Sequence, residues 1–406
     1  MEEFSMPIAE LSPLLQQLLA EYQIQKSEIE TGKRQPFDLS MMQIANWAEN
    51  FQRNPDAAAV ETEVEAWAKT YGIWLNGYSE HTITMGAYLH PETKDRRTLA
   101  VMIKTYLILF YIDDTISNDL QKNLTPEEKE RGKKMMSELN MLIKGTAHHD
   151  HESEFGLTNA TRDVFNDLQE MADPEWLEEF VFSLQEHLDD TVEDQNRAAE
   201  KQNGSLDVEE FLEIRNHISG MFVTTAFMTF ATGEYLPLPL LPVDIQTDCQ
   251  NLEYLCAVIG GIANEFYSFE KEVIKNTDEF NIIPVMMAQN ASGFQEAILA
   301  AMAYMNQTCT KFIEVSERLA GKLSTRPLDL KPSYYQALET YLRQAKFVAL
   351  ASWFWQLDTD RYQSELSIFL QTNQQWRKSH HLQGRLRSGQ LLPEEIAGRG
   401  SISNSL

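Results

Sequence analysis

The sequence predicts an all-α protein, and three observations carry that reading. Helical periodicity dominates from about residue 36 to 380 with no persistent run of alternating β-branched residues. Several helix starts bring their own capping chemistry, and proline-rich breaks separate long helical blocks. At 406 residues, 43% hydrophobic and 23% charged, the chain can bury a large core of ordinary globular composition.

In chain order, residues 8–30 read as an amphipathic helix with Leu11, Leu14, Leu15, Leu18 and Leu19 on one face. A break follows at Lys33 to Pro36. Residues 1–35 are therefore expected to be an N-terminal helical extension, 36–376 a single α domain, and 377–406 a partly disordered polar tail rich in Gly and Ser. The most apolar stretch, Leu99 to Ile112, is interrupted by Lys104 and is too short to cross a bilayer. Thr125-Pro-Glu-Glu128 and Asp207-Val-Glu-Glu210 are capping boxes, and Asp173-Pro174 is a third start. Pro237, Pro239 and Pro242 prevent a helix in LPLPLLP, and Arg326 to Pro332 is a second break.

A net charge of −27 disfavours nucleic acid and anionic membranes as partners, though an anionic substrate remains open if metals and local cations neutralise it. Cys249, Cys256 and Cys309 are too few and too irregular for a disulfide framework or a zinc site. The acidic start MEEFSMPIAE lacks the apolar core of a signal peptide, so a cytoplasmic protein without stable membrane insertion is expected.

The most informative stretch is NEFYSFEKE, residues 264–272. Asn264, Ser268 and Glu272 recur every four residues, each step turning about 40° around a helix, so their side chains share one stripe. An amide carbonyl, a hydroxyl and a carboxylate make an all-oxygen set suited to Mg²⁺. Such a site needs partners. Asp113 and Asp114 end the apolar helix LAVMIKTYLILFYI, and burying adjacent carboxylates is costly without cations. Phe110 lies one turn before them. Asp189 and Asp190 form a rival acidic run, but its surroundings are polar on every side. Arg215, in an apolar-patterned helix, requires an anion, and Lys271 sits beside Glu272. Trp355 to Tyr362 closes an aromatic helix with Arg361-Tyr362. Guanidinium, phenol and ammonium groups are what a metal-bound diphosphate requires.

In this order the residues resemble class I terpene synthases of microbial type: an aspartate-rich motif at Asp113, an arginine helix at Arg215, the N-x3-S-x3-E motif and W-x5-R-Y. The resemblance covers about residues 60–365. It implies a single helical bundle enclosing a deep apolar active-site cavity, with two metal-binding motifs facing each other across its mouth. It further implies three Mg²⁺ ions, held by Asp113 on one side and by Asn264, Ser268 and Glu272 on the other. Arg215 would sense the diphosphate, Lys271, Arg361 and Tyr362 would bind it, and the carbonyl near Gly220 would help trigger ionisation. One departure is local: the usual third acidic position holds Ser117 or Asn118, so Asn118 is carried as a weak ligand and Asp114 as a supporting residue.

The expected reaction is ionisation of a linear prenyl diphosphate, farnesyl diphosphate foremost, and cyclisation of the cation to a sesquiterpene. Fixed cations and metal would stabilise the leaving group, and Phe110, Phe222, Trp353 and Phe354 are the candidate rings for the cation. A geranylgeranyl diphosphate cyclase, a chain-elongating enzyme and a non-catalytic helical binding protein are the alternatives, and a homodimer is left open. Elongation would call for a second aspartate-rich motif where this chain has Asn, Ser and Glu. His148 to His151 lie in a polar loop, and Arg377, Lys378, Arg385 and Arg387 belong to the tail.

Overall fold

The computed structural model describes residues 11–50, 52–116, 125–145, 152–200, 206–325 and 331–374. Those residues form thirteen α-helices, two π-helical turns and short 3-10 turns, and they contain two isolated β-bridges but no strand. The expected all-α bundle is what the chain adopts.

The first helix, α1 (Pro13–Glu30), is capped by Ser12 and buries Leu15, Leu18, Leu19 and Tyr22. It is followed by α2 (Ala57–Thr70), α3 (Thr84–Leu89) and α4 (Arg96–Ile116), the apolar segment of the sequence. Next come α5 (Pro126–Ile143), α6 (Gly156–Met171) and α7 (Pro174–Glu200). The predicted capping boxes form: Thr125 with Glu128 opens α5, and Asp207 with Glu210 opens α8 (Val208–Ile218). Asp173 accepts from the Glu175 and Trp176 amides at the start of α7.

Gly220, at φ 68°, separates α8 from α9 (Met221–Thr232). The left-handed turn suits glycine and breaks what would otherwise be one helix. The proline run then leads to α10 (Val243–Phe269), which packs most extensively on α12 (Phe294–Thr325) and α13 (Pro332–Asp358), with the short α11 (Ile282–Asn290) between. α10 is buried almost all round from Leu255 to Phe269, so polar side chains there face other protein groups or a cavity.

The N-terminal helix packs on the rest of the bundle. Tyr22 donates to Glu270 Oε2 at 2.5 Å, while the Ile368 amide donates to Glu270 Oε1 at 3.0 Å. A parallel bridge joins Phe37 to Phe369: the Phe37 amide donates to the Ile368 carbonyl at 2.7 Å and the Leu370 amide to the Phe37 carbonyl at 2.8 Å. The segments around Phe37 and Phe369 therefore meet just beyond the turn that carries Arg361. The tail from residue 377, including Arg377, Lys378, Arg385 and Arg387, lies outside the described residues, as do Ser117, Asn118 and His148 to His151.

Candidate active site

A cavity of about 1100 Å³ opens among α3, α4, the α8–α9 break, α10 and α13. One face of α4 supplies Tyr106, Leu109, Phe110 and Asp113, spaced as successive turns require. Gly260 and Gly261 line the opposite wall. A Cβ at Gly260 would lie 2.6 Å from Met221 Sδ, and one at Gly261 would lie 3.4 Å from Arg215 Cγ. Glycine here lets the α8–α9 break approach α10 closely.

Asn264 and Glu272 line the cavity together with Arg215, Arg361 and Tyr362. Ser268 is buried one turn below Glu272 and donates to its Oε2 at 2.7 Å. Beyond Phe269 the helix widens into a π turn, Glu270–Lys275, a feature found often at functional sites. Burial lifts the Glu272 carboxyl above the usual carboxylate range, while Arg215, Lys271 and the Ser268 hydroxyl pull it back.

Asn264 is the junction of the site. Its Oδ1 accepts from Arg215 at 2.6 Å, and its Nδ2 donates to Gln356 Oε1 and to the Tyr362 hydroxyl, both at 3.0 Å. An amide oxygen has two lone pairs, so one remains for a cation. Arg215 is also paired with Glu265 at 2.6 Å, a buried contact. Burial opposes the guanidinium charge, but Glu265 and Glu272 outweigh it and raise the Arg215 pKa.

On the facing wall, Arg361 donates to both oxygens of Asp114 and reaches Asp113 at 3.3 Å. The Asp113 side chain is 60% exposed and that of Asp114 18%. Asp113 therefore presents its carboxylate to the opening, and Asp114 turns to the arginine. The guanidinium also lies 5.5 Å from the Phe110 ring centre, and Phe110 meets Trp355 edge to face at 6.0 Å. His81 packs on the other side of Phe110 at 4.9 Å. Burial and the neighbouring Arg361 push its pKa down to about 4, so it is neutral.

Other expected residues fall elsewhere. Phe222, Trp353 and Phe354 are not among the lining residues. Trp353 packs edge on to Tyr267 at 5.1 Å, Phe354 is buried in the helix packing, and Phe222 lies near His217. The phase of α13 presents Ser352, Trp355 and Gln356 instead. Gly220 does line the cavity, and its carbonyl accepts from both the amide and the hydroxyl of Thr224, each at 3.1 Å. Lys271 stays outside the lining and acts on Glu272 and His81 through space. The backbone of α7 runs through Asp189 and Asp190, whose side chains lie outside the described residues.

Glu265 and Gln356 are site residues that motif reading passed over, and Trp355, read only as the start of W-x5-R-Y, lines the cavity. Glu265 had a signal: Arg215 needed an anion, and Glu265 adjoins Asn264. Gln356 had none, because its role depends on the phase of α13 against α10.

The donor set tests well against a divalent cation. Two carboxylates and an amide oxygen line one cavity, with the buried Ser268 hydroxyl hydrogen-bonded to one of the carboxylates, and the set has no sulfur and no neutral imidazole, as hard Mg²⁺ prefers.

The profile of the family described as "Terpene synthase family 2, C-terminal metal binding" matches residues 104–311, just over half of the chain. The chain belongs to that terpene synthase family. Membership makes it a terpene cyclase, a lyase that uses divalent metal. It is 21% identical over 329 residues to the Δ(6)-protoilludene synthase of Armillaria gallica, covering 79% of this chain and 87% of that protein. It is also 21% identical over 319 residues to a 7-epi-alpha-eudesmol synthase of Streptomyces viridochromogenes, named as cyclising (2E,6E)-farnesyl diphosphate, covering 79% and 83%. The crystal structure of a-eudesmol synthase superposes with a TM-score of 0.63 at 16% identity, covering 76% of this chain and 96% of the other. No described helix is long and apolar enough to cross a membrane.

Proposed function

We propose that this chain is a Mg²⁺-dependent sesquiterpene cyclase that ionises farnesyl diphosphate, cyclises the cation and releases diphosphate. The observation that carries the reading is one cavity with two ends: Asp113, Asn264, Glu272, Arg215, Arg361 and Tyr362 at its polar end, and Met85, Leu89, Leu109, Phe110 and Trp355 along its apolar walls. The name of one relative, which states that it cyclises (2E,6E)-farnesyl diphosphate, supports the substrate.

We assign Asp113 on one side, and Asn264, Ser268 and Glu272 on the other, to hold the metal, three ions in all. Bound Mg²⁺ would supply Lewis-acid neutralisation of the diphosphate charge. Arg215 and Arg361 are pre-positioned donors for the leaving oxygens, and their carboxylate partners hold them in place before substrate arrives. Tyr362, fixed by Asn264, adds a hydroxyl. The apolar walls exclude water that would quench a cation, and the Phe110 and Trp355 faces offer it negative quadrupole potential.

The test is parallel incubation with Mg²⁺ and the C10, C15 and C20 diphosphates, with product read by gas chromatography and diphosphate release measured directly. A cyclic C15 product from farnesyl diphosphate is expected. Cyclic product from the C20 substrate alone would overturn the substrate assignment, and absence of diphosphate release from all three would overturn the enzyme reading.

A further inference from the structure

Two turns below Asp113, on the same face of α4, Tyr106 lines the deep part of the cavity. Seven residues of helix place it about 10 Å further along the axis. A C15 chain anchored at the mouth is long enough to bring its distal double bond to this depth. The Tyr106 hydroxyl is hydrogen-bonded to Nε2 of His90 at 2.5 Å. It also lies within reach of the hydroxyl of Thr224, another lining residue. His90 is fully buried behind it, and its Nδ1 has no hydrogen-bond partner among the described residues. Phe227 packs edge on against both rings, at 5.6 Å from Tyr106 and 6.3 Å from His90.

Neither residue serves the diphosphate end. An aliphatic or phenylalanine pair would fill the same space without the desolvation cost of a buried imidazole. Burial keeps the imidazole neutral, its pKa pushed down to about 3; in the tautomer with the proton on Nδ1, Nε2 is a weak base, sufficient for an acid as strong as the C–H beside a carbocation. A phenol backed by a neutral imidazole, at the end of the chamber remote from the leaving group, has the make-up of a base.

We propose that Tyr106, backed by His90, is the terminating base for cations formed at the deep end of the cavity. The proposal rests on the cyclase reading above. A C–H bond beside the cationic carbon breaks, and its electron pair becomes the second bond of a new alkene. The proton passes to the Tyr106 oxygen while the phenolic proton moves to Nε2 of His90. The imidazolium returns its proton through Tyr106 to released diphosphate or to water as the cavity empties, so no oxidant or other reactant is required. Tyr106 is the catalytic residue of this step and His90 a positioning residue. The product class is an alkene whose last double bond lies in the half of the skeleton derived from the distal end of the chain.

The test compares full-length Tyr106→Phe, His90→Phe and the double variant on farnesyl diphosphate with Mg²⁺, reading diphosphate release and product distribution separately. Release should stay within about three-fold of wild type, because ionisation is governed at the mouth. The share of the main alkene should fall on the order of ten-fold in both single variants, replaced by other alkenes and water-quenched alcohols. The double variant should match Tyr106→Phe, since the two act as one unit. If Tyr106→Phe leaves the His90 nitrogen too costly to bury, the double variant removes both partners and carries the comparison. A wild-type product profile in Tyr106→Phe, or effects that add in the double variant, would overturn the proposal. Failure of the wild type to release diphosphate would instead sink the cyclase reading itself.

Discussion

Arg361 grips the Asp114 carboxylate with two hydrogen bonds, Nη1 to Oδ2 at 3.1 Å and Nη2 to Oδ1 at 2.7 Å. The residue read as a diphosphate ligand is thus tied to the acidic motif from the opposite end of the chain. The pairing divides the labour of the two aspartates: Asp113 faces the opening, and Asp114 aims the guanidinium.

That division predicts unequal losses. Asp113→Asn should lower turnover on the order of 10²–10³-fold, the scale for removing a stabiliser of developing charge. Asp114→Asn should cost about 10- to 100-fold, as loss of an orienting partner does. The Mg²⁺ dependence of diphosphate release should shift in the first and stay near wild type in the second. Equal losses and equal shifts would refute the assignment.

Ser268 donates to Glu272, so its effect should pass through metal affinity. Ser268→Ala is expected to raise the Mg²⁺ concentration for half-maximal activity by about 10- to 100-fold, with much of the turnover recovered at saturating metal. Glu272→Gln should not be rescued this way. Magnesium titrations of the two variants, run side by side, decide the point.

The buried Arg215–Glu265 pair is a stability element as well as a site element. Glu265→Gln removes the carboxylate in direct contact with the buried Arg215, and urea unfolding should show a loss of about 3–5 kcal/mol. A loss under about 1 kcal/mol would mean that Glu272 and Asn264 suffice to hold the guanidinium.

Acid should destabilise the fold through its histidines. Burial lowers the pKa of His81 to about 4, with Arg361 adding to it, and burial alone lowers that of His90 to about 3. The unfolded chain takes up protons near 6.5, so between that value and the folded pKa it binds more protons than the native state. Stability should therefore fall as pH drops below 6.5, and the fall should end only below about 4 for His81 and about 3 for His90. Urea midpoints measured from pH 7.5 to 5 should slope less in His90→Phe than in wild type. An unchanged slope would mean that His90 takes no part.

Local chemistry was legible in the sequence because it is short-range. The capping boxes at Thr125 and Asp207, the break at the prolines and the 264–268–272 stripe all depend on residues within two or three turns of each other. Helix phase and distant pairing were not. Trp353 and Phe354 look as suitable as Trp355 until α13 is docked on α10, and only then does Trp355 face the cavity with Gln356. The Arg361–Asp114 contact spans 247 positions and the Tyr22–Glu270 contact 248, separations at which no spacing rule operates. The Gly220 break was visible, but the double contact of Thr224 to its carbonyl was not.

The bridge between Phe37 and Phe369 bears on how the enzyme comes into being. A nascent chain displays both α4 and α10 well before residues 361–371 emerge, so the two metal-facing walls exist while the mouth is still unfinished. The contacts that complete it, such as the Leu39 amide with Gln371 Oε1 across 332 positions, are of the slow, high-contact-order kind. Competence to ionise substrate should arrive last and all at once. In refolding from urea, helical signal should recover ahead of activity, and the lag should lengthen when Phe37 or Tyr22 is replaced by alanine.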